Sequence, residues 1–192
     1  ALRGVERVSI IGYSGGGFRG GTYTSLNQDK VDKLILLASS NYNRNGSSNP
    51  PANVPAPGAP MTIQSREILE QERWFPDVQC KGQVAAGAAD AAWAASMASD
   101  PVGATWGPGV VRGPIRTLWG WNAAAAGRIT IPTLVMAGQF DGLLASMRLL
   151  YEDLGATDKV LVAIACASHF YAWETQHDVV QEASKNWFLH GS

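Results

Sequence analysis

Five residues near the start of the chain, Gly12-Tyr13-Ser14-Gly15-Gly16, constrain its fold more than any other part of the sequence. The β-branched run at residues 8–11 predicts a buried strand before them, and residues 18–26 predict a helix after them. A second apolar run, residues 33–38, predicts another strand. Because two parallel strands need a crossover connection between them, the chain is expected to open with a βαβ unit.

The same alternation of strand and helix returns in the last third of the chain. Residues 133–137 and 159–165 are apolar runs that predict two further parallel strands. Residues 143–154 and 179–187 repeat apolar positions at the helical period and predict two helices. The chain is therefore expected to form an α/β fold whose parallel sheet is flanked by helices.

The middle of the chain has a different character. Residues 41–60 are dense in Asn, Ser, Gly and Pro and predict a loop, whereas residues 61–75 and 84–99 predict helices. We therefore divide the chain into a core part at residues 1–41, a mostly helical insertion at 42–128 and a second core part at 129–192. The tryptophans of the insertion are expected to be core side chains more often than substrate contacts, because each buries a large area.

Composition and charge exclude several classes of function. The chain has 46% hydrophobic and 16% charged residues and a formal net charge of -1, which predicts a soluble globular protein. No run of Lys or Arg supplies the clustered charge of a nucleic-acid surface. The apolar runs are far shorter than the ~20 residues of a membrane-spanning helix. The cellular compartment is left open.

The two cysteines, Cys80 and Cys166, allow at most one internal disulfide. Cys166 follows a predicted buried strand without a turn that would expose it, so we expect an inert thiol rather than a nucleophile. Neither cysteine has neighbouring residues in a metal-binding pattern. We therefore expect no metal and no organic cofactor.

Ser14 is the candidate nucleophile of the chain. A serine hydroxyl reacts usefully only when it is exposed beside a base, and a sharp turn from strand to helix exposes it. Gly12 and Gly16 are expected to give the backbone room for that turn. The N–H of Gly15 would then lie at a helix N-terminus, where it can donate to the oxyanion of a tetrahedral intermediate.

Asp141 and His169 are the candidate acid and base. Each follows the end of a predicted strand, and the order Ser14, Asp141, His169 is that of a strand-to-helix serine nucleophile and its partners. A carboxylate there holds one imidazole nitrogen protonated and leaves the other to accept the serine proton. Each motif also has a plainer explanation when it is taken alone. The residues around Ser14 would then form an ordinary tight turn, Asp141 would cap a helix and His169 would be a core histidine.

Taken together, these residues resemble the α/β-hydrolase superfamily. Residues 12–16 match its nucleophile turn, residues 139–142 its acid turn and residues 168–170 its histidine loop. The resemblance implies a serine hydrolase that cleaves a small carboxylic ester through an acyl-enzyme, with residues 42–128 as a cap. An acyltransferase with the same triad and a non-catalytic binding subunit of the same fold are the alternatives. Tyr13, Phe140 and Phe170, which adjoin the predicted catalytic residues, are expected to contact the substrate.

One departure from the family pattern concerns the sheet. In the family the nucleophile turn follows the fifth strand, whereas here it lies within the first fifteen residues. The resemblance therefore implies that the first strands of the usual sheet are missing from this chain, together with the loop that donates a second oxyanion N–H. Either an N-terminal companion chain supplies them or this sequence is a fragment of a longer protein. We favour the companion chain, because the first strand here would otherwise expose a hydrophobic edge.

Overall fold

The computed structural model describes residues 4–113 and 119–190 of the chain. Its centre is a four-stranded parallel sheet with the order β1-β2-β5-β6. The strands are β1 (Val8–Tyr13), β2 (Val31–Leu37), β5 (Thr133–Gly138) and β6 (Lys159–Ile164). This confirms the predicted parallel sheet and the βαβ unit at the start of the chain.

Helices cover both faces of the sheet. They are α1 (Gly15–Leu26), α3 (Ala123–Arg128), α4 (Leu144–Asp153) and α5 (His177–His190). Apolar residues of α1, α3 and α4 belong to one buried cluster, and those of α5 belong to a second cluster. The result is the three-layered arrangement that a parallel sheet with two apolar faces requires.

The burial of the two central strands, β2 and β5, explains why each of them contains a continuous apolar run in the sequence. Leu34 and Leu36 of β2 contribute to the first cluster, whereas Ile35 and Leu37 contribute to the second. Successive side chains of a strand point to opposite faces, so a strand that is covered on both faces is apolar throughout. Every residue of β5 is buried for the same reason.

The long connection between β2 and β5 contains elements that the sequence pattern did not predict. It forms a two-stranded antiparallel ribbon of β3 (Thr62–Gln64) and β4 (Val110–Arg112). The prediction of a helix at residues 61–75 is wrong for the first residues of that range, because they form β3. A π-helical segment (Ile68–Trp74) occupies the later part of the range. The predicted helix at 84–99 begins later, as α2 (Ala88–Ser99). Residues 114–118 of the predicted insertion lie outside the described residues.

The outer strand β1 leaves apolar side chains in contact with solvent. In β1, Val8 and Ile11 are each 50% exposed. In the ladder with β2, Ile11 stands opposite Ile35, whose own side chain is fully buried.

Among residues 4–113 and 119–190, no helix combines the length and the apolar character needed to cross a membrane.

Candidate active site

Ser14 lies at the turn between β1 and α1 with a positive φ, at φ 51° and ψ -118°. Its N–H donates to the carbonyl of Leu37 at 2.8 Å, and its carbonyl accepts the N–H groups of Gly17 and Ser40, each at 3.0 Å. These bonds tie the turn to the carboxyl end of β2. They hold a conformation that an ordinary residue avoids, and strained backbone of this kind concentrates at functional sites.

The glycines around Ser14 are not equally necessary. A Cβ on Gly12 would lie 2.5 Å from the carbonyl oxygen of Gly16, and a Cβ on Gly17 would lie 2.7 Å from Cβ of Ser39. A Cβ on Gly16 would meet no described atom within 4 Å. The structure therefore confirms the prediction for Gly12, whereas the prediction for Gly16 was wrong. Close approach requires glycine at position 17 rather than at position 16.

Asp141 and His169 form a direct contact. The imidazole Nδ1 of His169 lies 3.0 Å from Oδ2 of Asp141, whose side chain is only 2% exposed. The other carboxylate oxygen accepts the N–H of Leu143 at 2.8 Å. The carboxylate can accept the Nδ1 proton, which leaves Nε2 as the nitrogen that can act as a base.

Tyr13 contacts the histidine from the end of β1. Its hydroxyl donates to the carbonyl of His169 at 2.7 Å, and the two rings lie 5.1 Å apart, centroid to centroid. Burial raises the pKa of Tyr13 far above its usual range, and the carboxylates of Asp141 and Glu174 raise it further. The hydroxyl therefore stays protonated and acts as a donor that fixes the histidine loop.

A cavity of about 460 Å³ brings most of the predicted site residues together. Tyr13, Ser14, Asp141, His169 and Phe170 are all on its wall. The other residues that line it are Gln64, Leu69, Arg73, Trp74, Asp77, Ala92, Ser96, Val110, Arg112, Gly142, Leu143 and Trp173.

Two predicted site residues, Gly15 and Phe140, are not among the described residues that line the cavity. Gly15 does lie at a helix N-terminus, as predicted: it is the first residue of α1, where its N–H has no carbonyl within the helix to donate to. The N–H of Phe140 donates to the carbonyl of Ala167 at 2.8 Å, which ties the acid turn to the histidine loop.

Glu174 is a residue of the site that no sequence motif singled out. Its side chain is 1% exposed and accepts bonds from the N–H of Ser168 at 2.9 Å, from the hydroxyl of Ser168 and from Nε1 of Trp74 at 2.9 Å. The hydroxyl of Ser168 in turn accepts the N–H of Phe170 at 3.0 Å. This buried carboxylate therefore organises the loop on both sides of His169.

A disulfide also attaches the long connection to the histidine loop. Cys80 and Cys166 are bonded, with their Cα atoms 5.7 Å apart and a sequence separation of 86. The expectation of a free, inert thiol at Cys166 was therefore wrong, although the sequence did allow one disulfide. Nearby, Trp74 stacks on Phe170 with 5.3 Å between the ring centroids.

Metal-binding side chains do not cluster in the part of the chain that the structure describes. Within it, no group of three or more His, Cys, Asp or Glu side chains has the arrangement that a metal ion needs.

Several known structures share this fold and are hydrolases by description. A monoacylglycerol lipase of Paleococcus ferrophilus superposes with a TM-score of 0.61 at 18% identity, over 97% of this chain and 70% of the lipase. A meta-cleavage product hydrolase of Pseudomonas fluorescens IP01 gives 0.62 at 15%, over 98% of this chain and 66% of the other. A serine hydrolase of Cycloclasticus zankles, a bacterium that degrades polyaromatic hydrocarbons, gives 0.57 at 15%, over 97% and 65%.

The chain has the α/β-hydrolase fold, as the superpositions show. It spans between 65% and 70% of the length of these three neighbours. A comparison with protein-family models finds no match, and a comparison with curated sequences finds no significant one.

Proposed function

We propose that the chain carries the catalytic residues of a serine hydrolase that cleaves carboxylic esters through an acyl-enzyme. One observation carries the proposal: Ser14 sits in a strained turn on the same cavity wall as a histidine that is bonded to a buried aspartate. Three groups with matched roles in one cavity make a stronger argument than any of the motifs alone.

In the proposed reaction, Ser14 attacks the carbonyl carbon of the ester while Nε2 of His169 takes its proton. The N–H of Gly15 donates to the oxyanion that forms, and Asp141 stabilises the imidazolium. Collapse of the intermediate releases the alcohol, which takes the proton from His169. Water then attacks the acyl-enzyme by the same route, with His169 again as base, and releases the acid.

The cap is part of the proposal. Residues 42–128 of the long connection contribute Leu69, Trp74, Ala92 and Val110 to the wall of the cavity that holds Ser14. We propose that this segment covers the reacting ester and limits the entry of water. The division into residues 1–41, 42–128 and 129–192 follows from that role.

Hydrolysis of short-chain aryl esters tests the proposal. The Ser14→Ala variant should lose activity by about four orders of magnitude or more, because it removes the nucleophile. Ser99→Ala, at an exposed serine of α2 away from the cavity, is the matched control and should retain it. If Ser14→Ala cleaved the esters as fast as the Ser99→Ala variant, Ser14 would not be the nucleophile and the proposal would be wrong. If the wild-type protein cleaved none of them, a non-catalytic binding role would replace the proposal.

Product analysis separates hydrolysis from acyl transfer. The same three residues could pass the acyl group to an alcohol, so the assay should be repeated with an added alcohol acceptor. We expect the free acid as the main product. A new ester as the main product would identify an acyltransferase.

We also propose that a companion chain adds strands beside β1. Within the described residues β1 has one strand neighbour, β2, and its half-exposed Val8 and Ile11 give it an apolar outer side. Exposed apolar edge strands are normally covered. Native mass spectrometry of the active protein should find a second polypeptide bound to this one. An active protein whose mass is 20.4 kDa, that of this chain alone, would rule the companion out.

A further inference from the structure

Two arginines on the cavity wall have no acidic partner within the described chain. Arg73 belongs to the π-helical segment and Arg112 is the last residue of β4, and both line the cavity that holds Ser14. Among the described residues, the arginines that pair with carboxylates are Arg7, Arg44 and Arg66. The cavity wall therefore carries two exposed arginines that form no ion pair with a carboxylate of the described chain, although Asp77 and Asp141 line the same cavity.

The charged side chains of the cavity wall influence one another's pKa values. Burial lowers the pKa of Arg112, Arg73 lowers it further and Tyr13 raises it, so the two guanidinium groups act on each other. Burial raises the pKa of Asp77, and Asp141 adds to that effect while His169 opposes it. Arg73 and Arg112 therefore lie near each other on the cavity wall, and we refer to this pair as the basic end of the cavity.

Gln64 adds an unused hydrogen-bond donor to the basic end. Its side chain lines the cavity, is 5% exposed and accepts a bond from Nε of Arg112 through Oε1. Its amide Nε2 is buried and has no partner among the described residues. The pairing of β3 with β4 holds both residues in place. Native proteins rarely leave such a group unsatisfied. Because Nε2 has almost no exposed surface, the Gln64 side chain must shift slightly for a ligand in the cavity to supply the acceptor.

We propose that Gln64, Arg73 and Arg112 form a subsite for a carboxylate of the substrate, so that the ester cleaved at Ser14 belongs to an acid-bearing molecule. A guanidinium and an amide N–H together offer donors to both oxygens of a carboxylate. Leu69 and Val110 line the same cavity, so the body of the substrate is apolar. The proposal rests on the proposed function, because it defines where the substrate lies relative to Ser14.

Charge-matched pairs of esters test the subsite. In the first pair the charge is on the acyl group: the mono-p-nitrophenyl ester of glutaric acid is compared with the neutral p-nitrophenyl pentanoate. In the second pair the charge is on the leaving group: 3-acetoxybenzoate is compared with its neutral methyl ester. The protein is used as purified, with any chain that accompanies it. In at least one pair, kcat/KM should be on the order of 10-fold higher for the acid.

Two variants remove one arginine each. Arg73→Gln breaks no ion pair or hydrogen bond within the described chain, and Arg112→Gln removes the guanidinium that Gln64 accepts from. Each should move the ratio of acid to neutral kcat/KM towards one. Arg148→Gln, at an exposed arginine of α4 outside the cavity, is the matched control and should keep the ratio. Added NaCl should lower the wild-type ratio, because salt screens accessible charges.

The outcomes distinguish this subsite from the proposed function. Equal kcat/KM values for acid and neutral esters in both pairs, or an unchanged ratio in both arginine variants, would overturn the subsite while leaving the hydrolase intact. Failure to cleave any of the four esters, with Ser14 unreactive towards a fluorophosphonate, would overturn the proposed function and the subsite with it.

Discussion

At the scale of single residues, the site depends on groups that hold His169 rather than on His169 alone. Asp141 binds the imidazole, Tyr13 binds its backbone carbonyl and Glu174 binds the neighbouring Ser168. Each of these groups fixes a different atom of one short loop. Such positioning matters because a misplacement of about 1 Å can cost a hundredfold in rate.

Glu174 provides the test of that arrangement. Glu174→Gln replaces an acceptor oxygen with an amide N–H, so one of the donors from Ser168 or Trp74 loses its partner in a buried site. We expect the free energy of unfolding to fall by about 1–3 kcal/mol, together with a fall in kcat. Urea unfolding and ester hydrolysis measure the two effects.

The control for this change is Glu182→Gln on α5. Glu182 lies on the surface in a 3.7 Å ion pair with Lys185, and its side chain is 63% exposed. That variant should change stability by less than about 0.5 kcal/mol. Equal effects of the two substitutions would show that Glu174 does not organise the histidine loop.

At the scale of secondary-structure elements, the turn between β1 and α1 depends on the close approach of Gly12 to the backbone of the helix. Gly12→Ala would place Cβ 2.5 Å from the carbonyl of Gly16, and neither backbone can move without disturbing Ser14. We expect a loss of about 1–3 kcal/mol in stability and a loss of activity. Thermal unfolding and hydrolysis of an aryl ester measure them.

Gly16 is the matched position for this prediction. Gly16→Ala meets open space, and alanine favours the helix by up to about 1 kcal/mol over glycine, so we expect unchanged or higher stability. If Gly16→Ala were as damaging as Gly12→Ala, close approach of the backbone would not be the reason that position 12 requires glycine.

The disulfide is the second element-scale feature. It joins Cys80, in the long connection between β2 and β5, to Cys166, which lies two residues after the end of β6. Reduction should lower the free energy of unfolding by about 2–4 kcal/mol, because a long loop of the unfolded chain is freed. Hydrolysis should slow as well, since Cys166 lies close in sequence to His169.

Urea unfolding with and without a phosphine reductant measures this effect. The double variant Cys80→Ser, Cys166→Ser should resemble the reduced protein and should no longer respond to the reductant. A wild-type protein whose stability and activity were both indifferent to reduction would contradict the proposed attachment.

At the scale of the whole molecule, the sheet and its helices could be predicted from the sequence, whereas the connection between β2 and β5 could not. The two central strands, β2 and β5, contain apolar runs because helices cover both faces of the sheet there, and the sequence shows that pattern directly. The ribbon of β3 and β4 has only three residues in each strand, too few to show a period. Distant pairs such as Trp74 with Glu174 leave no local signal.

The candidate site also contains residues that could be predicted from the sequence and residues that could not. Ser14, Asp141 and His169 could be proposed because each follows a strand whose end the sequence marks. Glu174, Gln64 and Arg112 could not. Glu174 contacts the histidine loop from the end of a single 3₁₀ turn (Tyr171–Trp173), and Gln64 and Arg112 reach the cavity through a short ribbon. The requirement for glycine at position 17 instead of 16 depends on the packing of α1 against Ser39, which only the folded chain reveals.

The most direct test of the central claim is the reaction of the purified protein with a fluorophosphonate, followed by mass spectrometry of its peptides. We expect one adduct, on the hydroxyl of Ser14, because only a serine activated by a neighbouring base reacts readily. The Ser14→Ala variant should stay unlabelled, and Ser99→Ala should be labelled like the wild type. An absent adduct, or an adduct on another serine, would contradict the assignment of Ser14 as the nucleophile.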